Sequence, residues 1–430
     1  MLVPDGFLAG YIFSEHADGG NMARNRAVYL GSEDISNVDN AIGGFVGHRI
    51  PVTKSVFFVY PPGSSVRDEP LYLNFLKQLD STGHFDICLH TPDDQNSNRE
   101  ILEESIKFMK DRFNASTWID HGFYSGKINR ESFVCDGLDS ISPFYAADLW
   151  EKYNTRYFWS PADELINDVS LKEKIRLLKI KDASCELWKR YLSQNELKEI
   201  TFFAAFFKLL KRPSSKYEMN SMKPIKGESF PTPLYWQNIT RTGQFYSWVT
   251  NYVKDYDELA ADNSKSQFAL ELELENINKL INDWGVFINH GYYVRNRTGP
   301  DHGIWTEREG KIIINPNFDR VLEIMARMRD EGGLYITTIR DLLDYWILIE
   351  NISFEYMPDG CIFVYNNNDK PIKGLSLVVH ANAVQVDDEI PEFKRVGVNT
   401  IFWFDIQAKN FVRVQVNPKM NFKRSNEELN

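Results

Sequence analysis

Phe7-Leu-Ala-Gly-Tyr-Ile-Phe13-Ser-Glu-His16-Ala-Asp18-Gly-Gly20 is the stretch on which the reading of this 430-residue chain turns. An apolar, β-favouring run gives way within a few positions to an imidazole, a carboxylate and two glycines. That is the pattern of a buried strand whose last side chains face a polar cleft. His16 and Asp18 lie two apart, so an extended backbone points them the same way. They are candidates for a metal site or an acid–base pair, and a solvated His beside a turn Asp is the plainer alternative.

The same transition recurs downstream. Strands are predicted over 51–60, 85–90, 116–122, 156–159 and 285–290, and helices over 69–80, 97–113, 144–153, 266–284 and 317–331. A Thr-rich strand over 334–338 and a short helix over 339–345 close the series. Such alternation implies a parallel sheet covered by helices, open or closed into a barrel. A further helix is expected over 32–47 from a Ser32 cap, residues 21–29 read as a loop or short helix, and 291–315 reads as a polar loop. The regularity breaks at about 165–228, read as a helical insertion. Beyond 347 the period changes to short strands at 352–356, 361–365, 375–379, 400–404 and 411–416 between Asn, Asp, Gly and Pro turns, a small sandwich-like all-β domain. The expected division is an α/β domain over 1–346, a β domain over 347–418 and a polar tail over 419–430.

Composition narrows the function. Hydrophobic content of 43% and charge of 25% suit a soluble globular protein, while 14% aromatic residues fit a cleft lined for stacking on flat apolar faces, sugar rings among them. The net charge of −11, without a basic cluster, argues against nucleic acid or an anionic membrane as partner. Cys88, Cys135, Cys185 and Cys361 are too widely spaced for a CxxC zinc site or a dense disulfide framework. No apolar run is long enough to span a bilayer, and the N-terminus lacks a signal-peptide pattern. A cytoplasmic protein, or an exported one whose signal is missing, is expected; the oligomeric state stays open.

The histidines carry the chemistry. Of eight, His16, His90, His121 and His290 each end a predicted strand. In parallel α/β folds that is the edge where the following loops converge on an active site. Imidazoles with one or two carboxylates are the donor set preferred by Zn²⁺ and accepted by Co²⁺, Ni²⁺ or Fe²⁺.

With those residues in place, the chain resembles the NodB-type polysaccharide deacetylases, carbohydrate esterase family 4, over roughly 7–345. Ala17-Asp18-Gly19 stands where the family has an acidic pair followed by Gly. Val52-Thr-Lys-Ser-Val-Phe-Phe-Val59 is similar to its second strand. His90-Thr91-Pro-Asp-Asp94 keeps the first two positions of its His-Ser/Thr-x-x-His motif, and Ile288-Asn-His290 is similar to its Leu-x-His motif. The resemblance implies a distorted (β/α) barrel and a metal-dependent hydrolase of acetyl groups, with Asp18 and His90 as metal ligands and His290 as general acid. The chain departs from the pattern at Ala17, where the family has its catalytic base, and at Asp94, where it has a second metal His. No Arg-containing motif follows His121. By position, His16, Asp94 and His121 are the candidates to replace the missing base and ligand.

The expected activity is therefore metal-dependent removal of acyl, chiefly acetyl, groups from a polysaccharide or amino sugar. Catalysis is assigned to His290, His16 and Asp18, and metal binding, Zn²⁺ foremost, to Asp18, His90, His121 and Asp94. Stacking on substrate is assigned to Trp118, Tyr124, Trp236 and Tyr292. One alternative is a catalytically inactive carbohydrate-binding protein on the same fold, which Ala17 favours. The other is a glycoside hydrolase with paired carboxylates, Asp18 with Asp94 or Asp120. The β domain reads as an accessory module that covers the barrel or binds glycan.

Overall fold

The computed structural model describes residues 1–17, 19–59, 64–93, 98–119, 137, 140, 145–159, 165–166, 239–242, 244–248, 251–252, 272–289, 291–295 and 303–417. The expected insertion over 165–228, apart from 165–166, and the tail over 419–430 lie outside the described residues. The chain divides into two compact units, Ala9–Asp341 and the combination of Met1–Leu8 with Leu342–Asn430.

The larger unit runs β1 (Ala9–Glu15), α1 (Met22–Leu30), α2 (Gly44–Gly47), β2 (Val52–Val56), α3 (Pro70–Ser81), β3 (Phe85–Leu89), α4 (Arg99–Phe113), β4 (Thr117–Trp118), α5 (Ala147–Tyr153) and β5 (Tyr157–Trp159). It continues with β6 (Leu165–Ile166), β7 (Ile239–Thr242), β8 (Phe245–Trp248), β9 (Asn251–Tyr252), α6 (Leu274–Asn282), β10 (Val286–Ile288), β11 (Trp305–Arg308), β12 (Lys311–Ile314), α7 (Pro316–Asp330), β13 (Leu334–Thr337) and the start of α8 (Ile339–Glu350). The principal sheet has the order β10-β1-β2-β3-β4-β5-β8-β7, with β13 also on β1. Every pairing in it is parallel except β7 with β8. This is an α/β architecture, a parallel half-barrel with helices.

Alternation along the strands separates two environments. Tyr11 and Phe13 of β1 join the main hydrophobic core with Val28 and Tyr29 of α1. There Tyr11 stacks on Phe287 at 5.3 Å and Phe13 meets Phe45 edge-on at 5.2 Å. Ser14 and His16 alternate with these residues and are also buried. In β3, Ile87 and Leu89 belong to the same core, and Asp86, Cys88 and His90 alternate with them. The helices carry their own termini. α4 starts at Asn98, whose side chain accepts from the Ile101 N–H, one residue past the expected Ser97 start; Glu100 lies in its first turn and Lys110 and Arg112 in its last.

Two expectations for this unit fail. Residues 32–47 form no single helix but a 3-10 turn at Val38–Asn40 and the short α2. Gly44 sits at φ 69°, and a Cβ there would fall 2.3 Å from the Val28 carbonyl oxygen. Its N–H donates to Asp319 Oδ1 at 2.7 Å, and His48 Nε2 meets the same oxygen at 2.8 Å. The expected loop over 291–315 contains the antiparallel hairpin β11/β12, turned by Glu309 and Gly310, both at positive φ. Such two-residue turns match the right-handed twist of the paired strands.

In the smaller unit, β14 (Ile352–Tyr356), β15 (Cys361–Asn366), β16 (Ile372–Val379), β17 (Val384–Val386), β18 (Glu392–Val396), β19 (Asn399–Ile406) and β20 (Phe411–Val416) form two antiparallel sheets, β14-β15-β20-β17 and β16-β19-β18. Register places Val364 opposite Val412 and Val386 opposite Val414, one buried apolar face. Met1–Leu8 belongs to this unit, where the Asp5 N–H donates to Gly374 O at 2.9 Å and the Gly6 N–H to the Ser376 hydroxyl at 2.8 Å. No helix among the described residues is long and apolar enough to cross a membrane.

Burial acts to raise the Asp319 carboxyl, but the hydrogen bonds from His48 and the Gly44 N–H outweigh it and hold its pKa below the ordinary value. A carboxylate depressed below its unfolded value of about 3.9 stabilises the fold above that value, and the contribution is lost as pH falls through the folded value. Asp319→Asn should therefore flatten the acid limb of stability, measured as thermal melts from about pH 6 to about pH 2.

Candidate active site

The site is built on the ends of β1, β2 and β3. Their parallel register sets Glu15 opposite Lys54, and the carboxylate and ammonium meet at 2.5 Å with both side chains fully buried. The Tyr29 hydroxyl donates to the same carboxylate oxygen, and the Lys54 ammonium lies 4.7 Å from the Tyr29 ring centroid. Burial lowers the Lys54 pKa in spite of Glu15, and burial together with Glu15 pushes the Tyr29 phenol up, so the phenol keeps its proton. This charged knot lies on the strand face that carries Tyr11 and Phe13, because side chains alternate.

The opposite face carries His16 and Ser55. Ser55 Oγ donates to the Glu15 carbonyl at 2.8 Å and accepts the Ala17 N–H at 3.1 Å, tying the end of β1 to β2. The His16 N–H donates to Gly291 O at 2.8 Å. Its ring meets Trp159 edge-on at 4.4 Å, Tyr292 at 5.4 Å and His90 at 5.7 Å and 78°.

His90 is held from several directions. Its N–H donates to Val56 O at 2.8 Å and its carbonyl accepts from Trp118 Nε1 at 2.7 Å. Nδ1 bonds the Ile119 carbonyl and lies 3.3 Å from Ser55 Oγ. A carbonyl only accepts, so Nδ1 carries a proton, and in a neutral ring the lone pair is then on Nε2. Phe57 closes one side, edge-on at 4.7 Å. His16 is 1% exposed and His90 0%.

Two imidazoles bound to one tetrahedral ion through nitrogens at about 2.1 Å have ring centroids roughly 5 to 6 Å apart. The His16–His90 spacing falls in that range, and the Nδ1 bond to the Ile119 carbonyl fixes how the His90 ring is turned, which is what a pair of metal donors would require. Among the described residues no group of three or more His, Cys, Asp or Glu is arranged to hold a metal. The expected ligands and catalytic groups Asp18, Asp94, His121 and His290, and the expected stacking residues Tyr124 and Trp236, lie outside the described residues.

Trp118 does not have the role expected of it. It is 1% exposed within the hydrophobic core, edge-on to Trp150 at 6.2 Å, and its Nε1–H holds the His90 carbonyl. A ring packed there has no face for a sugar, and Trp118 positions His90 instead. Tyr292 does stand beside His16, with the Arg295 guanidinium 5.0 Å from its ring centroid. The sequence reading singles out neither Trp159 nor Ser55. Trp159 is the last residue of a predicted strand, and Ser55 alternates with the Val52, Lys54 and Val56 positions, so the strand-end rule that picked out the histidines contained the signal for both.

No protein-family model and no curated protein matches the chain. Among solved structures, an Anoxybacillus α-amylase described as giving insight into a new glycosyl hydrolase subclass aligns with 86% of this chain and 71% of its own, at 10% identity and a TM-score of 0.20. A likeness at that score carries no argument.

Trp118→Phe keeps a ring in the core but removes the donor to the buried His90 carbonyl, an expected loss of about 1–3 kcal/mol in denaturant unfolding. Lys54→Met strands the Glu15 carboxylate and is expected to cost about 3–5 kcal/mol, and combining it with Glu15→Leu should recover most of that loss in the same measurement.

Proposed function

We propose that the chain is a metal-dependent hydrolase that removes acyl groups, acetyl foremost, from a polysaccharide or amino sugar, on a NodB-type barrel whose smaller unit is sandwich-like. The observation that carries the reading is the His16–His90 pair: two buried imidazoles, 5.7 Å apart, at the C-terminal ends of parallel strands and flanked by Trp159, Phe57 and Tyr292. Asp18, Asp94 and His121, expected at the same sheet edge, would complete a donor set for a divalent ion, Zn²⁺ foremost with Co²⁺, Ni²⁺ or Fe²⁺ acceptable. When bound, such an ion lowers the pKa of water towards neutrality and polarises an acyl carbonyl.

The chain's own groups do the rest. His90 presents Nε2 because Ile119 O holds the Nδ1 proton. His16, or Asp18 where it is not a ligand, takes the proton of the attacking water, and His290 protonates the departing amine or alcohol. Trp159 excludes water beside His16, and the half-buried Tyr292 offers an apolar ring to the sugar.

A second reading has one observation of its own. Ala17 stands where the resembled family has its base, its N–H is used by Ser55, and its methyl takes no proton. That favours a carbohydrate-binding protein without chemistry. Metal analysis and acetate release from acetylated glycans separate the two, with glycosidic cleavage scored on the same panel. The hydrolase reading expects a bound divalent ion and acetate release that falls at least ~100-fold in His90→Ala, together with loss of metal. A folded, metal-free protein that retains glycans without releasing acetate would establish the binding reading, and glycosidic cleavage without acetate release would establish a glycosidase.

A further inference from the structure

Arg24 is a buried cation without a counter-ion among the described residues. It is 7% exposed. Its Nη2 donates to Gly19 O at 3.0 Å, and its guanidinium carbon lies 5.5 Å from the Trp305 ring centroid. Among the described residues Nε has no acceptor, and burial lowers the pKa of the group. The guanidinium stays charged all the same. Other buried charges of this unit are matched, Lys54 by Glu15 and Asp86 by Arg340 at 3.2 Å. A charge taken out of water without a partner is costly, so an unmatched one calls for a ligand.

Its place in the fold supplies a second positive pole. Arg24 lies in the first turn of the nine-residue α1, and Asn21 caps that helix by accepting the Arg24 N–H at 2.9 Å. The first turn contains no acidic residue. Helix amide dipoles favour an anion at this end and disfavour a cation, so Arg24 and the dipole repel one another until an anion arrives. The guanidinium folds back to Gly19, so both poles meet at the Gly19–Gly20 turn just past His16. Gly20 keeps that turn bare, since a Cβ there would lie 2.9 Å from Val294 Cγ2.

We propose that Arg24 and the first turn of α1 form a receptor for an oxyanion on the substrate, a carboxylate, sulfate or phosphate group of the glycan, so that the protein acts on an acidic saccharide. That the anion is carried by a glycan rests on the function proposed above; anion binding itself does not. The planar guanidinium offers a two-pronged contact to such a group, and the helix N–H groups a second.

The test uses the full chain without added metal, with thermal melts and tryptophan fluorescence titrated against glucuronate, a sulfated monosaccharide, inorganic sulfate, inorganic phosphate, glucose and chloride at matched ionic strength. Glucuronate or the sulfated sugar should raise the melting temperature saturably, in the wild type and in His90→Ala alike, and glucose and chloride should not. Arg24→Met should abolish saturation yet melt no lower than the wild type without anion, because an apolar side chain of similar length removes the unmatched charge. Arg24→Lys should bind at least about tenfold more weakly, for want of the fork. No saturation by any anion, or saturation that survives Arg24→Met, would overturn the proposal. So would equal loss of anion-free stability in Arg24→Met and Asp18→Asn, which would make Asp18 an internal counter-ion. Saturation by inorganic sulfate or phosphate but by neither sugar acid would overturn the assignment to a glycan. Anion saturation without acetate release upholds the receptor and removes the hydrolase alone, and acetate release without anion saturation does the reverse.

Discussion

A carboxylate and an ammonium that are both fully buried tolerate little company but each other's, and at the end of β1 that demand fixes the rest. Glu15 and Lys54 stand directly opposite in a parallel ladder. A slip of β1 by one residue would turn Glu15 to the other face of the sheet and leave Lys54 where it is, since the side-chain period of a strand is two. The ion pair would be lost, and the His16 ring would enter the aromatic layer of Tyr29, Phe45 and Phe13. Tyr29 adds a donor to the same oxygen, so the pair is held from the helix as well as from the neighbouring strand. The knot itself reaches no substrate. Its effect is to set the register that places His16 and Ser55 together on the other side.

Ser55 then carries that register to the imidazoles. One hydroxyl donates to the Glu15 carbonyl, accepts the Ala17 N–H and approaches His90 Nδ1 at 3.3 Å. The His90 main chain is pinned on one side by β2 through Val56 and on the other by Trp118 of β4. Both rings are therefore positioned by main-chain geometry before any ligand arrives, which is the preorganisation that metal sites and general bases depend on.

The sequence was most legible where one signal had no rival. The strand expected over 85–90 is found at Phe85–Leu89, because a short apolar run with β-formers leaves the helix no advantage. The expected helix over 32–47 fails because a tertiary bond to Asp319, some 275 residues away, decides the conformation of Gly44, and no local pattern records it. The β11/β12 hairpin is a different kind of miss. Glu309-Gly310 is a legible turn, but the flanking Trp305–Arg308 is polar enough to read as loop. For the site, periodicity located His16 and His90 but gave no means of telling which side of β4 Trp118 faces. A two-residue strand offers too little alternation to decide, and the residue proved to be core. β17 has only three residues, and β18 lies at a sheet edge with its side chains at least partly exposed, so neither carries the apolar run that marks a strand.

Lys54 and Arg24 make an instructive contrast at the same end of the same sheet. Each is a cation out of water and each lies against an aromatic ring, but one faces a carboxylate across 2.5 Å and the other faces only a carbonyl among the described residues. The chain has no shortage of carboxylates, with 60 Asp and Glu against 49 Lys and Arg. An acidic residue at Met22 or Ala23, in the first turn of the same helix, would suit the dipole, and neither position carries one. The net charge of −11 does not forbid an anionic ligand, because charges farther away than about 10 Å are largely screened at moderate salt and a buried guanidinium is not. It does set a requirement. A negatively charged protein that takes an acidic sugar must do so through a local, dry cation, and the turn after His16 is where this fold keeps one.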